Sequence, residues 1–376
     1  MKIAIIGSTG EIGSRLAIHL LNQKMDVKLL SRNIGIRLIR YEGLNHSSID
    51  LLEKEKLIDF LKGVDCVVNC AIDKREYPTE DESVNKNKEA IENLLEASEK
   101  AGVKRFIEMS SIAVLPPQVT QDVLNKPFEY SKETDWYTRA KIENEKLVLN
   151  RKSNMDIQVI RAGIVYGPYL HWSKLAFIRT QGKIVILPQI MNSICHAIHV
   201  DDLVGLIENS IFTDNISISK LIYGINPEKI TWKDYYEFHG RLISDDVTVA
   251  ESISVKEIEL MNSIGGDELR KPGFKRSIID VLRKSYYLIP SSIKRIKPVS
   301  KLIYYLKGMN YGLLNYPQYL NPKNEPNKQK IYPNNFELEL YKSDAMPKQK
   351  LEYDFKISLQ DGTKNAANWW LKRTEK

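Results

Sequence analysis

Lys2-Ile3-Ala4-Ile5-Ile6-Gly7-Ser8-Thr9-Gly10-Glu11-Ile12-Gly13 is the stretch that decides the fold. Its apolar opening is too short for a helix and suits a buried strand; a helical pattern through Leu16, Leu20 and Leu21 follows at once. The glycines between them serve distinct physical needs, namely a tight strand-to-helix turn, close backbone approach to a pyrophosphate, and close helix–sheet packing. The helix start adds unpaired N–H groups and the positive end of a dipole. A merely structural glycine turn is the plain alternative, but the strand before and the helix after favour a dinucleotide site at Gly7, Ser8, Thr9, Gly10, Glu11, Ile12 and Gly13.

Outward from this turn, short β-branched runs alternate with amphipathic stretches to about residue 210. Lys2–Ile6, Asp26–Leu30, Cys66–Cys70, Arg105–Met109 and Gln158–Arg161 read as strands; Glu11–Gln23, Leu57–Leu61, Asn87–Ala101 and Trp136–Asn150 read as helices. The pattern predicts an α/β chain with a doubly wound parallel sheet and right-handed crossovers. Beyond it the alternation fades, residues 265–345 are rich in Lys, Arg, Tyr, Pro and Asn, and Leu351 to Trp370 looks ordered again. The expected division is a nucleotide-binding domain over 1–165 and a smaller C-terminal substrate-binding lobe over 166–376.

Composition narrows the class. With 376 residues, 43% of them hydrophobic, the chain can bury a full core, and a net charge of +7 with mixed signs does not imply nucleic-acid binding. Cys66, Cys70 and Cys195 form no CxxC pair and read as free thiols of a reducing compartment. Met1–Ile6 is too short for a signal segment and no apolar run approaches the roughly 18 residues that span a bilayer, so a soluble, cytoplasmic protein is expected.

Where an acid selecting NAD is usual, after the second strand, the sequence has Ser31-Arg32. A guanidinium there can hold an additional 2′-phosphate, which favours NADP(H) over NAD(H); a solvated surface arginine is the alternative. Tyr137-Thr138-Arg139-Ala140-Lys141 puts a phenol and an ammonium four residues apart on one helix face. A fixed positive charge favours the phenolate, which makes Tyr137 a usable proton carrier. Ser110 and Ser111 follow the strand Arg105–Met109, at the sheet edge where ligands bind.

Together these residues resemble the extended short-chain dehydrogenases/reductases, of the NAD(P)-dependent epimerase/dehydratase type, with a Rossmann-like fold. Asp65 to Ala71, Asn87 through Lys104-Arg105-Phe106 to Ser111, Glu145, Arg161 to Pro168 and His199-Val200-Asp201-Asp202 fall in the family's order, and Leu351 to Trp369 is similar to its usual ending. The resemblance implies Tyr137 as acid–base, Lys141 lowering its pKa and holding the nicotinamide ribose, and Ser111 polarising the substrate oxygen. It also implies Asp50 and Leu51 beside the adenine, Cys70, Ala71 and Asn87 along the cofactor, His171 and Trp172 where the substrate lobe begins, and a homodimer paired through the helix of Tyr137. Family dehydratases carry an Asp-Glu pair just after the serine; Ile112 and Ala113 stand here, which disfavours dehydration. The expectation is an NADP-dependent reductase or epimerase acting on a nucleotide-activated sugar.

Two rivals stay open: a membrane-associated alcohol or ketone oxidoreductase like the 3β-hydroxysteroid branch, and a non-catalytic NADP-binding scaffold, against which the intact Ser111, Tyr137 and Lys141 speak. The segment from Arg270 to Lys307 holds eleven Lys and Arg with Asp280 as the acid among them, interleaved with Tyr and Leu. It reads as a lid over a diphosphate, as a peripheral membrane contact through 270–310, or as a solvated face packed on its own core. Nucleic acid ranks last, since no motif accompanies the charge. No metal is expected: His196 and His199 would point to opposite sides of an extended segment with no ligand cluster to join them.

Overall fold

The computed structural model describes residues 1–33, 38, 44–116, 119–126, 128–132, 135–180, 184–188, 192–213, 220–243, 248–253, 345–347 and 353–374. In chain order the elements are β1 (Lys2–Ile6), α1 (Glu11–Asn22), β2 (Asp26–Ser31), β3 (His46–Ser48), α2 (Lys54–Leu61), β4 (Cys66–Asn69), α3 (Glu80–Lys100), β5 (Arg105–Ser111), a 3-10 turn (Ile112–Val114), α4 (Gln121–Asn125), α5 (Trp136–Leu149), β6 (Asp156–Ala162), β7 (Ile164–Tyr166), α6 (His171–Thr180), β8 (Ile184–Pro188), β9 (Ala197–His199), α7 (Val200–Phe212), β10 (Leu221–Gly224), α8 (Trp232–Arg241), β11 (Thr248–Ile253) and α9 (Leu359–Thr374).

The first unit comprises Met1–Val165, His196–Lys229 and Ser343–Ser358. Its sheet runs β10-β6-β5-β4-β1-β2-β3 with every pairing parallel. Period-2 alternation sorts the strands onto two faces. Ile3, Ile5, Cys66, Val68 and Ile107 meet Leu16 and Leu20 of α1 and Leu203, Leu206 and Ile207 of α7. Ala4, Ile6, Val67, Phe106 and Val159 meet Leu57 and Leu61 of α2, Leu94 and Leu95 of α3, and Val148 of α5. Burial on both faces is why these strands read as continuous apolar runs. The strand order reverses between β1 and β4, the crevice where ligands of such sheets bind at the carboxyl ends.

The chain enters the second unit at Tyr166, close to the predicted division, but His196–Lys229 and Ser343–Ser358 return to the first. The sequence pattern assigns these two segments to the smaller lobe, because β10 and β9 are only four and three residues long and give little periodic signal. Once returned, β10 extends the sheet beside β6 and α7 covers one of its faces. The Asp202 carboxylate then accepts from the amides of Lys356 and Ile357 at 3.0 and 3.1 Å, so this acid holds the C-terminal segment of the first unit.

The second unit, Tyr166–Cys195, Ile230–Lys342 and Leu359–Lys376, is described chiefly through α6, α8 and α9. Phe177 stacks on Trp370 with ring centroids 5.6 Å apart, and Trp232, Tyr235 and Tyr236 are buried along α8. The basic segment expected from the sequence lies outside the described residues up to 344.

Candidate active site

The glycine turn has the shape its residues demand. Gly7 sits at φ +73°, where a side chain is strained, and a Cβ there would lie 2.7 Å from the Ala71 amide nitrogen. A Cβ on Gly13 would run into the Gly7 carbonyl, so α1 can close onto the turn only through glycine. Gly10 is the N-cap of α1 and brings no side-chain cap. The helix start is thus bare backbone beside a narrow turn, a cradle that fits the pyrophosphate of a dinucleotide. Cys70 and Ala71 line the neighbouring β4 end, where the Cys70 amide donates to the Ile6 carbonyl at 2.9 Å.

At the ends of β2 and β3 the structure corrects the expectation. Arg32 reads from the sequence as a guanidinium with no acid near it, yet Asp73 lies 3.0 Å from its Nη1. Asp73 comes from the loop after β4, 41 residues away in sequence, so the pairing leaves no local signal. Arg75 joins the group, donating to Asp73 at 2.7 Å and to Asp50 at 2.7 Å, and the Tyr77 hydroxyl donates to Asp73 at 2.8 Å. Burial alone would raise the Asp73 carboxyl, but hydrogen bonds from Arg75 and Tyr77 and the charge of Arg32 hold it below the usual carboxylate range. Asn87 is occupied in bracing this loop: its Oδ1 accepts from the Asp73 amide and its Nδ2 donates to the Asp73 carbonyl, at 2.8 and 3.1 Å. Ser31 donates to the Asn33 carbonyl at 2.7 Å, and Leu51 accepts from Asn93 at 3.2 Å. This cluster therefore holds two arginines and two aspartates, where the sequence alone points to Arg32 and Asp50.

Two elements, the end of β5 and the helix α5, carry the predicted catalytic residues. Ser110 and Ser111 belong to the strand as its last two residues, in register with Arg161 and Ala162 of β6. Ser111 caps the following 3-10 turn, its Oγ accepting from the Ala113 amide at 3.2 Å, which leaves the hydroxyl proton to donate elsewhere. On α5, the Asp135 carboxylate accepts from the amides of Tyr137 and Thr138 at 3.0 Å, fixing the backbone from which Tyr137 projects. Lys141, one turn on, is 5% exposed and its Nζ donates to the Met109 carbonyl at 2.5 Å. The lysine thereby ties α5 to the strand that carries Ser111.

Two buried acids lie beneath this constellation. Glu145 forms an ion pair with Arg161, both fully buried, with Arg161 Nε 3.2 Å from each carboxylate oxygen. Ser110 donates to Glu145 at 2.6 Å and Arg161 reaches the Tyr223 hydroxyl at 3.3 Å. Glu108, which the sequence pattern hides inside an apolar strand, is also fully buried and accepts from Asn69 Nδ2 at 2.6 Å. Burial pushes its carboxyl up to about 7, against the downward pull of Lys141 and Asn69. Burial likewise pushes the Cys66 and Cys70 thiols up to about 12, in keeping with their reading as small apolar side chains.

His171 and Trp172 belong to α6 of the second unit, where the Trp172 ring lies 5.9 Å from that of Trp232. His196 Nε2 meets the Ala345 carbonyl at 2.8 Å and His199 Nδ1 accepts from the Asp201 amide at 3.2 Å. No cluster of His, Cys, Asp or Glu able to hold a metal occurs among the described residues. No helix among them is long and apolar enough to cross a membrane.

The NAD dependent epimerase/dehydratase family matches residues 3–207, more than half the chain, and the protein belongs to that family, the extended short-chain dehydrogenase/reductase type. It is 28% identical over 196 residues to UDP-glucose 4-epimerase of Vibrio cholerae, covering 50% of this chain and 58% of that protein. It is 26% identical over 177 residues to the decarboxylating sterol-4-alpha-carboxylate 3-dehydrogenase of Homo sapiens, covering 44% and 45%. The chain thus spans about half the length of the curated relatives it matches. Among solved structures, UDP-glucuronic acid 4-epimerase from Bacillus cereus, in complex with UDP-glucuronic acid and NAD, has a TM-score of 0.54 at 20% identity, over 68% of this chain and 87% of its own. At that identity the likeness is one of fold.

Proposed function

We propose that this protein is an NADP-dependent reductase or epimerase acting on a nucleotide-activated sugar. The observation that supports the reading is the anchoring of Lys141 on the Met109 carbonyl, which ties the helix that bears Tyr137 to the strand that ends in Ser111. Gly7 to Gly13 would hold the cofactor pyrophosphate, Lys141 its nicotinamide ribose, and Arg32 with Arg75 its 2′-phosphate. A nicotinamide supplies hydride chemistry at the substrate carbon when bound.

The residues of the chain handle the proton. In the reducing direction the Tyr137 hydroxyl donates its proton to the substrate oxygen, and the Ser111 hydroxyl donates a hydrogen bond to that same oxygen. The Lys141 ammonium stabilises the phenolate left behind. Ile112 and Ala113 offer no acid or base to expel water, which argues against dehydration. Pairing of two copies through α5 belongs to the same proposal.

Replacing Tyr137 with Phe should lower turnover by roughly two to four orders of magnitude with folding intact, and near-normal turnover would overturn the assignment. Likeness to a sterol dehydrogenase supports a second reading, a lipid-like alcohol or ketone substrate taken at a membrane surface. Co-sedimentation with anionic vesicles, compared between the full chain and one lacking 270–310, separates the two: vesicle binding that is lost with the segment favours the second.

A further inference from the structure

Glu108 is a buried ionisable group beside Lys141 that the proton chemistry above leaves unused. It stands in β5 among Phe106, Ile107 and Met109, all buried, where an acid has no reason to be on packing grounds. One carboxylate oxygen, Oε2, accepts from Asn69 of β4. The other, Oε1, lies 3.7 Å from Lys141 Nζ and has no hydrogen-bond donor among the described residues. Lys141 is itself 5% exposed, and a buried ammonium is costly unless a charge or strong acceptors compensate it. The other buried acid nearby, Glu145, is already occupied by Arg161 and Ser110. The neutral groups around the pair are Asn69 and the Cys70 thiol; Glu145 is the like charge on the α5 side.

We propose that Glu108 is the positioning residue and counter-charge of Lys141, so that the reaction centre works with a lysine–carboxylate pair. This role rests on the reading of Lys141 as the working ammonium. Met109 and Glu108 grip the ammonium from adjacent positions of one strand, the carbonyl by a hydrogen bond and the carboxylate by charge. When Glu108 takes up a proton the grip loosens and the ammonium acts on its surroundings without a compensating charge. The ionisation state of Glu108 therefore sets the field Lys141 exerts on Tyr137 and on a ribose hydroxyl, and burial places that ionisation near neutral pH.

The test uses the full chain with glutamate carboxyls labelled with ¹³C and titrated by NMR through neutrality. One resonance should titrate well above ordinary carboxylates and be missing in Glu108→Gln. In Lys141→Met it should titrate higher still by about one pH unit or more, because the charge favouring the carboxylate is gone. A Glu108 resonance that titrates at the same pH with and without Lys141 overturns the pairing, and this comparison does not need the Gln variant to fold. NADPH and NADH binding, followed by fluorescence across the same pH range, supplies the functional readout. The wild type should show a break in affinity where Glu108 ionises and Glu108→Gln should not; superimposable curves overturn the positioning role. If neither cofactor binds the wild type, the functional reading fails, while the NMR comparison still decides the pair.

Discussion

Lys141 Nζ donates to the carbonyl oxygen of Met109 at 2.5 Å, joining the middle of α5 to the end of β5. A lysine in this position is held by geometry as well as charge, since the side chain is 5% exposed and has little room to move. Arginine in its place brings a planar, bulkier head that cannot enter the same pocket without displacing strand residues. Both Lys141→Arg and Lys141→Met should therefore lose turnover by roughly two orders of magnitude or more. Steady-state kinetics on the two variants checks this; full activity in the Arg variant would show that charge alone suffices.

The pairing of Arg32 with Asp73 bears on cofactor choice. A 2′-phosphate arriving at Arg32 must share the guanidinium with an acid, and the acid weakens that attraction. Arg32→Ala should cut NADPH affinity by about tenfold while changing NADH affinity little, and Asp73→Asn should shift the ratio toward NADPH. Titration calorimetry with the two reduced cofactors measures both ratios. An unchanged ratio in both variants would place the 2′ selectivity elsewhere.

Glu145 and Arg161 illustrate how much of the centre the sequence can and cannot show. Tyr137, Lys141 and Ser111 are legible because they sit at fixed local spacings, on a helix and at a strand end. The glycine turn is legible because its strand and helix flank it directly. The pairings of Glu108 with Lys141, Asp73 with Arg32 and Arg75 with Asp50 are not, since these partners lie 33, 41 and 25 residues apart and only the parallel crossovers bring them together. One signal is available: an acid in the middle of the apolar run Phe106–Met109 is out of place in a strand covered on both faces. The short strands β9 and β10 also escape detection, which is why the return of His196–Lys229 to the first unit is seen only in three dimensions.

The buried ion pair predicts a large stability effect. Glu145→Ala leaves the Arg161 guanidinium, fully buried, without its carboxylate, and also strands the Ser110 hydroxyl. Such a loss costs about 3–5 kcal/mol. Urea denaturation should show a lower midpoint by that measure, and a loss within experimental scatter of a surface substitution would mean that water or a neighbour compensates the arginine.

Acid stability should depend on His239 in the second unit. The ring is fully buried, its Nδ1 facing the Tyr235 carbonyl at 2.7 Å and its Nε2 facing the Ser173 hydroxyl at 3.2 Å. Ser173 also accepts from the Gly167 amide at 2.9 Å, so its proton points to Nε2 and the ring is neutral with its own proton on Nδ1. Burial pushes the folded pKa down to about 4 from an ordinary 6.5. Between those values the unfolded chain binds the extra proton and the folded chain does not, so stability is full above the ordinary value and falls as pH drops through this window. His239→Gln should flatten that part of the profile, read as melting temperature against pH; an unchanged slope would assign acid lability to other groups.

Whether the chain takes NADPH together with a nucleotide-activated substrate is tested most directly by a thermal-shift titration of the wild type with NADPH and NADH, alongside UDP, GDP, dTDP and CDP, because a ligand of the native state raises the melting temperature by mass action. Stabilisation by NADPH above NADH and by one of the four nucleotides is the predicted result. Stabilisation by NADPH with no response to any nucleotide would contradict the sugar-nucleotide substrate and turn the search to lipid-like alcohols and ketones.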